Sequence, residues 1–156
     1  MKAIRKWLVA LLVVVFAVVM SISPAYKDLA TADLALALSE ETKLTDMEHF
    51  SNSRFKKDFS MNANEFAGVE YYGYEDIMDS ETFLLVKGVN EEQLRTLQAA
   101  ISERRSNLME VFKSYAPENY DLLDHAVLEI RGDYLIYLVM EDSDRVFQTF
   151  LEEIRE

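Results

Sequence analysis

Acid–base chemistry falls first to histidine, and this chain has two, His49 and His125. His49 stands in a polar stretch. His125 precedes a strand-like run and has Asp124 beside it. Neither has the partners of a catalytic pair, and both read as surface residues. No Gly-x-Ser-x-Gly turn, His-Glu-x-x-His helix or phosphate-loop motif occurs. The chain has no cysteine, which removes the thiolate nucleophile, disulfide frameworks, zinc fingers and iron–sulfur clusters. Its 4 glycines are too few to assemble a loop that cradles phosphate.

Carboxylates are abundant. Glu75, Asp76, Asp79 and Glu81 crowd one turn, and Glu141, Asp142 and Asp144 crowd another. Oxygen-rich turns suit calcium, yet neither cluster has the spacing or the glycine of an EF-hand loop. Asp142 and Asp144 are better explained as residues that start a helix. A carboxylate enzyme would use Glu81 and Asp79. It would need one carboxyl with a raised pKa, which burial supplies and a solvated turn does not. The sequence therefore assigns no catalytic residue, no metal ligand and no cofactor.

Aromatics interleaved with charges give the more informative pattern. In an extended chain Glu70, Tyr72 and Tyr74 point one way, and Val69 and Tyr71 the other. Lys87 shares a side with Phe83 and Leu85, and Glu129 and Arg131 share a side with Val127. If helices cover one sheet face only, Tyr72, Tyr74, Lys87, Glu129 and Arg131 meet on the open one. Such a platform suits a glycan, a peptide or a protein partner. The competing reading is cross-strand pairing, or burial under residues 26–60.

The elements that would position these residues follow from period and punctuation. Residues 26–42 read as a helix rich in Leu and Ala, and 53–59 as a helical turn with Phe55 and Phe59 four apart. Strands are expected over 66–76 and 82–87. Asn90 caps a long helix that Pro117 stops, with an apolar stripe of Leu94, Leu97, Ile101, Leu108, Phe112 and Tyr115. A turn near 120–123 leads to strands 126–131 and 134–141, joined by Gly132-Asp133. A last helix follows, capped by Asp142 or Ser143, with Val146, Phe147, Phe150, Leu151 and Ile154 on one face. The expected architecture is α+β, an antiparallel sheet of about four strands in ββαββα order with helices on one face. Sliding the chain by 53 positions lays Leu85 on Leu138 and Leu94 on Phe147, so a repeated hairpin-plus-helix unit stays open beside an unrepeated fold.

The N-terminus speaks to location. Lys2, Arg5 and Lys6 precede an unbroken apolar run from Trp7 to Met20, followed by Ser23-Pro24-Ala25. These are the parts of a secretory signal. Extended through Ile22 the run has 16 residues. That is just short of the ~17 that a spanning helix needs. Residues 1–25 are expected to be a signal peptide cleaved near Ala25 or a membrane anchor over 7–22, followed by a helical segment 26–60 and an α+β domain 61–156. The positive flank leaves the rest extracytoplasmic. The whole chain, 156 residues, carries net charge -12; after residue 26 there are 13 basic against 28 acidic residues, a net of -15. Nucleic acid requires the opposite balance and is excluded as a partner.

Three pieces carry a resemblance. They are Met78-Asp79-Ser80-Glu81 through Leu84-Leu85-Val86-Lys87, then Ile101-Ser102-Glu103-Arg104 with Phe112-Lys113-Ser114-Tyr115-Ala116-Pro117-Glu118, and Leu123-Asp124-His125-Ala126-Val127 with Arg131-Gly132-Asp133-Tyr134. Together they resemble a bacterial extracytoplasmic family of domains of unknown function, number 4358. The resemblance implies export, typically in Gram-positive bacteria, and often a lipoprotein cysteine after the signal. Here no cysteine is present, so anchoring rests on residues 7–22. The resemblance carries no catalytic residue. The expectation is a membrane-tethered or secreted, non-catalytic domain that binds an envelope protein or glycan. The alternative is a carboxylate-dependent, calcium-assisted enzyme acting on envelope polymers.

Overall fold

The computed structural model describes residues 26–76 and 79–155. The expected signal or anchor, residues 1–25, lies outside them. Among the described residues no helix is long and apolar enough to cross a membrane.

Among the described residues, five α-helices and five strands follow one another. They are α1 (Thr31–Leu38), β1 (Glu48–His49), α2 (Asn52–Phe59), β2 (Gly68–Gly73), β3 (Thr82–Lys87), α3 (Glu91–Phe112), α4 (Pro117–Asp124), β4 (Val127–Arg131), β5 (Tyr134–Val139) and α5 (Ser143–Ile154). Two 3-10 turns, Leu44–Asp46 and Ala63–Glu65, flank β1 and β2. The sheet is antiparallel throughout, in the order β1-β2-β3-β5-β4. The fifth strand beyond the expected four is β1, whose two residues have no periodic signal to offer.

Local chemistry explains the junctions. Asn90 Oδ1 accepts the backbone N–H of Gln93 at 2.9 Å, closing the N-terminus of α3 as expected. Pro117 does more than stop that helix: it is the first residue of α4, where its missing N–H leaves no bond unmade. Arg105 donates from α3 to the Leu123 and Asp124 carbonyls at 2.7 and 2.9 Å, which satisfies the C-terminus of α4. Asp142 makes no capping bond at α5. Ser143 is the first residue of the helix and does not cap it either: its Oγ accepts from the Met140 N–H at 3.2 Å and donates to the Met140 carbonyl at 2.8 Å, which ties the helix start to the end of β5.

The expectation of helices on one face is overturned. On one side of the sheet Tyr71, Leu84, Val86, Leu135, Tyr137 and Val139 pack against α2, α3 and α4. On the other, Phe83, Leu85, Tyr134, Ile136 and Leu138 pack against α1 and α5, through Leu34, Ala35, Leu38, Val146, Phe150 and Ile154. Consecutive residues Phe83, Leu84, Leu85 and Val86 are all 0% exposed, as are Leu135 and Ile136. A strand apolar on both sides must be covered on both sides. The continuous runs in β3 and β5 are therefore the sequence signal for two helical layers.

A structural repeat is also excluded. The 53-residue offset keeps Leu85 and Leu138 on one face, yet α3 packs on the face opposite to α5. Two rotated copies of one unit would place their helices equivalently.

Candidate functional site

Four of the five residues expected to form a platform share a sheet face, as the alternation requires. Tyr72 pairs with Phe83, Lys87 and Arg131 with Tyr134, and Glu129 with Ile136. They form no open platform, because α1 and α5 cover this face and Tyr134 stands between Lys87 and Arg131. Tyr72 stacks on His49 at 4.6 Å between ring centroids and donates to Glu70 Oε2 at 3.2 Å. Its phenol is raised in pKa by burial and then by Glu70. Lys87 bonds Asp28 and donates to the Leu29 carbonyl at 2.9 Å, which ties down the segment before α1. Burial works against the Lys87 charge, and the bonds to Asp28 and Tyr134 outweigh it, so its pKa is raised. Arg131 pairs with Glu129 at 2.7 Å and lies 5.6 Å from the centroid of the Phe147 ring. The shared binding face is thus replaced by three separate local pairings.

The fifth residue, Tyr74, goes elsewhere. The β2 ladder ends where Gly73 pairs with Glu48 and Thr82, so alternation stops before Tyr74. Tyr74 instead lines a cleft of about 230 Å³ on the α2–α3 side of the sheet. This cleft gathers the most concentrated polar chemistry among the described residues.

Its floor comes from one row across the sheet, since Tyr71 pairs with Leu84 and Leu84 with Tyr137. One wall is α2. Phe55 and Phe59 are 1% and 3% exposed and fix that helix to the core, which turns the adjacent strip, Arg54 and Asp58, toward the cleft. Ser51 caps its start and Ser60, at φ 58°, ends it in the left-handed conformation. The other wall is α3, which contributes Arg104 and Leu108. The lip is formed by Asp76, Asp79 and Glu81, which stand between β2 and β3 in the chain. Ser80 in that lip donates to Asn119 Oδ1 of α4 at 2.8 Å.

Asp58, with a side chain 6% exposed, is the hub. Its Oδ2 accepts from Arg54 Nε at 2.7 Å and from the Tyr71 hydroxyl at 2.9 Å, while Arg104 Nη2 lies 3.5 Å from Oδ1. The bond to Asp58 holds the Arg54 guanidinium charged, and Arg54 also lies 4.7 Å from the centroid of the Phe50 ring. Burial pushes the Tyr71 phenol well above its ordinary range, with the Asp58 charge adding to it. Tyr137 is pushed up to about 12 by burial, against the pull of Arg105 and Arg104. Both phenols are neutral hydrogen-bond donors at physiological pH.

Tyr137 differs from Tyr71 in one respect. It is 5% exposed, and its hydroxyl bonds no described residue. Every fully enclosed side-chain polar atom among the described residues is bonded, so the Tyr137 hydroxyl opens onto the cleft it lines. An unbonded donor at the edge of a cavity is a group that a ligand or water can meet.

Asp79 and Glu81 in the lip are partly buried, whereas Asp76 is exposed. Glu81 is partly buried and its pKa is raised by burial and then by Asp79. Asp79 Oδ1 accepts the Glu81 backbone N–H at 2.8 Å, an Asx-type bond that shapes the turn. Among the described residues no three His, Asp or Glu side chains converge as a metal site. A wider trough of about 880 Å³ follows β4 and includes His125, whose Nδ1 is 2.9 Å from the Asp121 carbonyl oxygen. His125 is raised in pKa first by that backbone contact and then by Asp121.

Sequence reasoning missed Asp58, Arg54, Arg104 and Tyr137. One signal was present: Arg104 stands between Ile101 and Leu108 at spacings of three and four, where the apolar stripe of α3 calls for a hydrophobic side chain. A charge there demands a buried partner. Asp58 supplies it from 46 positions away, which no local pattern reveals.

The profile of the family described as "Domain of unknown function (DUF4358)" matches residues 40–140. The chain belongs to this family. The DUF4358 match confirms the resemblance carried by the three sequence pieces. It takes in the whole sheet, α2, α3, α4 and all the cleft residues, from Phe50 to Tyr137. Helices α1 and α5, which cover the opposite face, lie outside it. No curated protein and no solved structure matches the chain.

Proposed function

We propose that this DUF4358 chain is an extracytoplasmic, non-catalytic binding domain, membrane-tethered or secreted, that takes an envelope component or protein partner into the α2–α3 cleft. The observation that carries the reading is Tyr137, a buried side chain whose neutral hydroxyl bonds no described residue and is open to the cleft it lines. The signal-like segment over residues 1–25 supports export. Binding rather than catalysis is favoured because both Asp58 oxygens are engaged, Oδ2 by Arg54 and Tyr71 and Oδ1 by Arg104. Among the described carboxylates Glu81 is the one held above its ordinary range, by burial and then by Asp79, and Asp79 is occupied in shaping the turn.

A photo-cross-linking residue in place of Tyr74, at the cleft lip, tests this in the full chain in its native envelope. The expected result is one adduct that is absent when the same group replaces Val111 on α3, which is 52% exposed and outside this cleft. Equal labelling from both positions would overturn the proposal.

A further inference from the structure

The charges around the cleft are divided by element. The helical walls bring Arg54, Lys57 and one carboxylate, Asp58, from α2 and Arg104 from α3, a net positive side, and the lip brings Asp76, Asp79 and Glu81 from between β2 and β3. A plain anion would meet the lip carboxylates, and the net charge of -15 after residue 26 repels extended polyanions. A plain cation would meet the three basic side chains of the walls, only partly offset by Asp58. A molecule with both charges has a complement on each side. The Tyr137 hydroxyl supplies a donor from the floor, suited to a carbonyl or carboxylate oxygen. The volume, about 230 Å³, sits at the small end for ligand pockets and suits one or two amino-acid residues.

We infer that the cleft binds a small zwitterion, a free amino acid or the charged ends of a short peptide, with its carboxylate toward Arg54, Lys57 and Arg104 and its ammonium toward Asp76, Asp79 and Glu81. The inference rests on the proposal that this cleft is the binding site.

Calorimetric titration of the full chain in detergent tests it, with alanyl-alanine as the probe and two blocked forms, N-acetylated and C-amidated, as comparisons. The free dipeptide is expected to bind, and each blocked form to bind about tenfold more weakly or worse, because each strands one set of charges. Tyr137→Phe keeps the ring and is expected to weaken the free dipeptide about five- to tenfold. Lys57→Gln, an exposed change that leaves the core intact, is expected to weaken the free and N-acetylated forms while leaving the C-amidated form unchanged. Equal affinity for free and blocked forms, lost in Tyr137→Phe, would overturn the zwitterion while keeping the cleft as a binding site. Binding that ignores Tyr137→Phe would overturn both. No heat with any form at millimolar concentration would overturn the zwitterion, and cross-linking from position 74 then decides the cleft.

Discussion

The Tyr71 hydroxyl donates to Asp58 Oδ2 at 2.9 Å and so joins strand β2 to helix α2. Arg54 reaches the same oxygen from one turn earlier, and Arg104 comes from α3. One carboxylate therefore holds three elements around the cleft. Removing it leaves two partly buried guanidinium groups with no counter-charge. Asp58→Asn, nearly isosteric, is expected to cost about 3 kcal/mol. Tyr71→Phe, which loses one bond to a charged acceptor, is expected to cost about 2 kcal/mol. Urea unfolding measures both, and the double variant should fall short of their sum because the two changes remove one shared bond. Full additivity would show that the bond contributes nothing.

Alkaline stability follows from the two buried phenols. Each folded-state pKa is raised above the ordinary value of 10, Tyr137 to about 12 and Tyr71 further. Below pH 10 the stabilisation from keeping them neutral is fully present. Above it the unfolded chain loses protons that the folded chain retains, so stability falls with rising pH. Each phenol contributes a slope of about 1.4 kcal/mol per pH unit across its window. Urea midpoints taken from neutral pH upward should hold steady and then drop above pH 10. Tyr137→Phe should make the drop shallower. A drop of the same steepness in that variant would contradict the assignment.

The second helical layer depends on a close approach between Gly68 and α1. A Cβ at Gly68 would lie 2.4 Å from Thr31 Oγ1 and 3.0 Å from its Cγ2. Thr31 is 5% exposed and cannot swing away. Gly68→Ala is expected to cost about 2 kcal/mol through overpacking. In a Thr31→Ala background, which removes both contacting atoms, most of that cost should vanish. An unchanged cost in the double variant would show that α1 does not sit where the sheet needs cover.

Much of the fold was legible in the sequence. The β3 boundaries agree residue for residue, as does the Gly132-Asp133 hairpin, because alternating and turn-forming residues act locally. The four platform residues were rightly placed on one face for the same reason. What failed was tertiary. The helix read over 26–42 shrinks to Thr31–Leu38, with Lys27 and Leu29 held outside it by Lys27 N–H to the Ile154 carbonyl and by Tyr134. The cleft was illegible because Asp58, Arg104 and Tyr137 come from three distant elements, and only the misplaced charge at Arg104 hinted at it.

Tyr134 anchors that N-terminal segment. Its hydroxyl accepts the Leu29 N–H at 2.7 Å and donates to the Leu29 carbonyl at 2.7 Å, beneath the Lys87 ammonium 5.2 Å from its ring centroid. Tyr134→Phe leaves the buried ring in place and removes these bonds. The expected outcome is a loss of about 1 kcal/mol and faster amide hydrogen exchange at Leu29, with exchange in β3 unchanged. Uniform acceleration through the sheet would contradict the local anchoring role.

The most direct test of the cleft is the tyrosine ring spectrum of the full chain, read by isotope-edited NMR as size-fractionated envelope material is added. Tyr137→Phe assigns the decisive signal by its absence. Movement of the Tyr137 signal with one fraction, while that of Tyr26 on the opposite side of the molecule stays still, is the expected result. A fraction that binds the protein and leaves Tyr137 unmoved would contradict the cleft as the binding site.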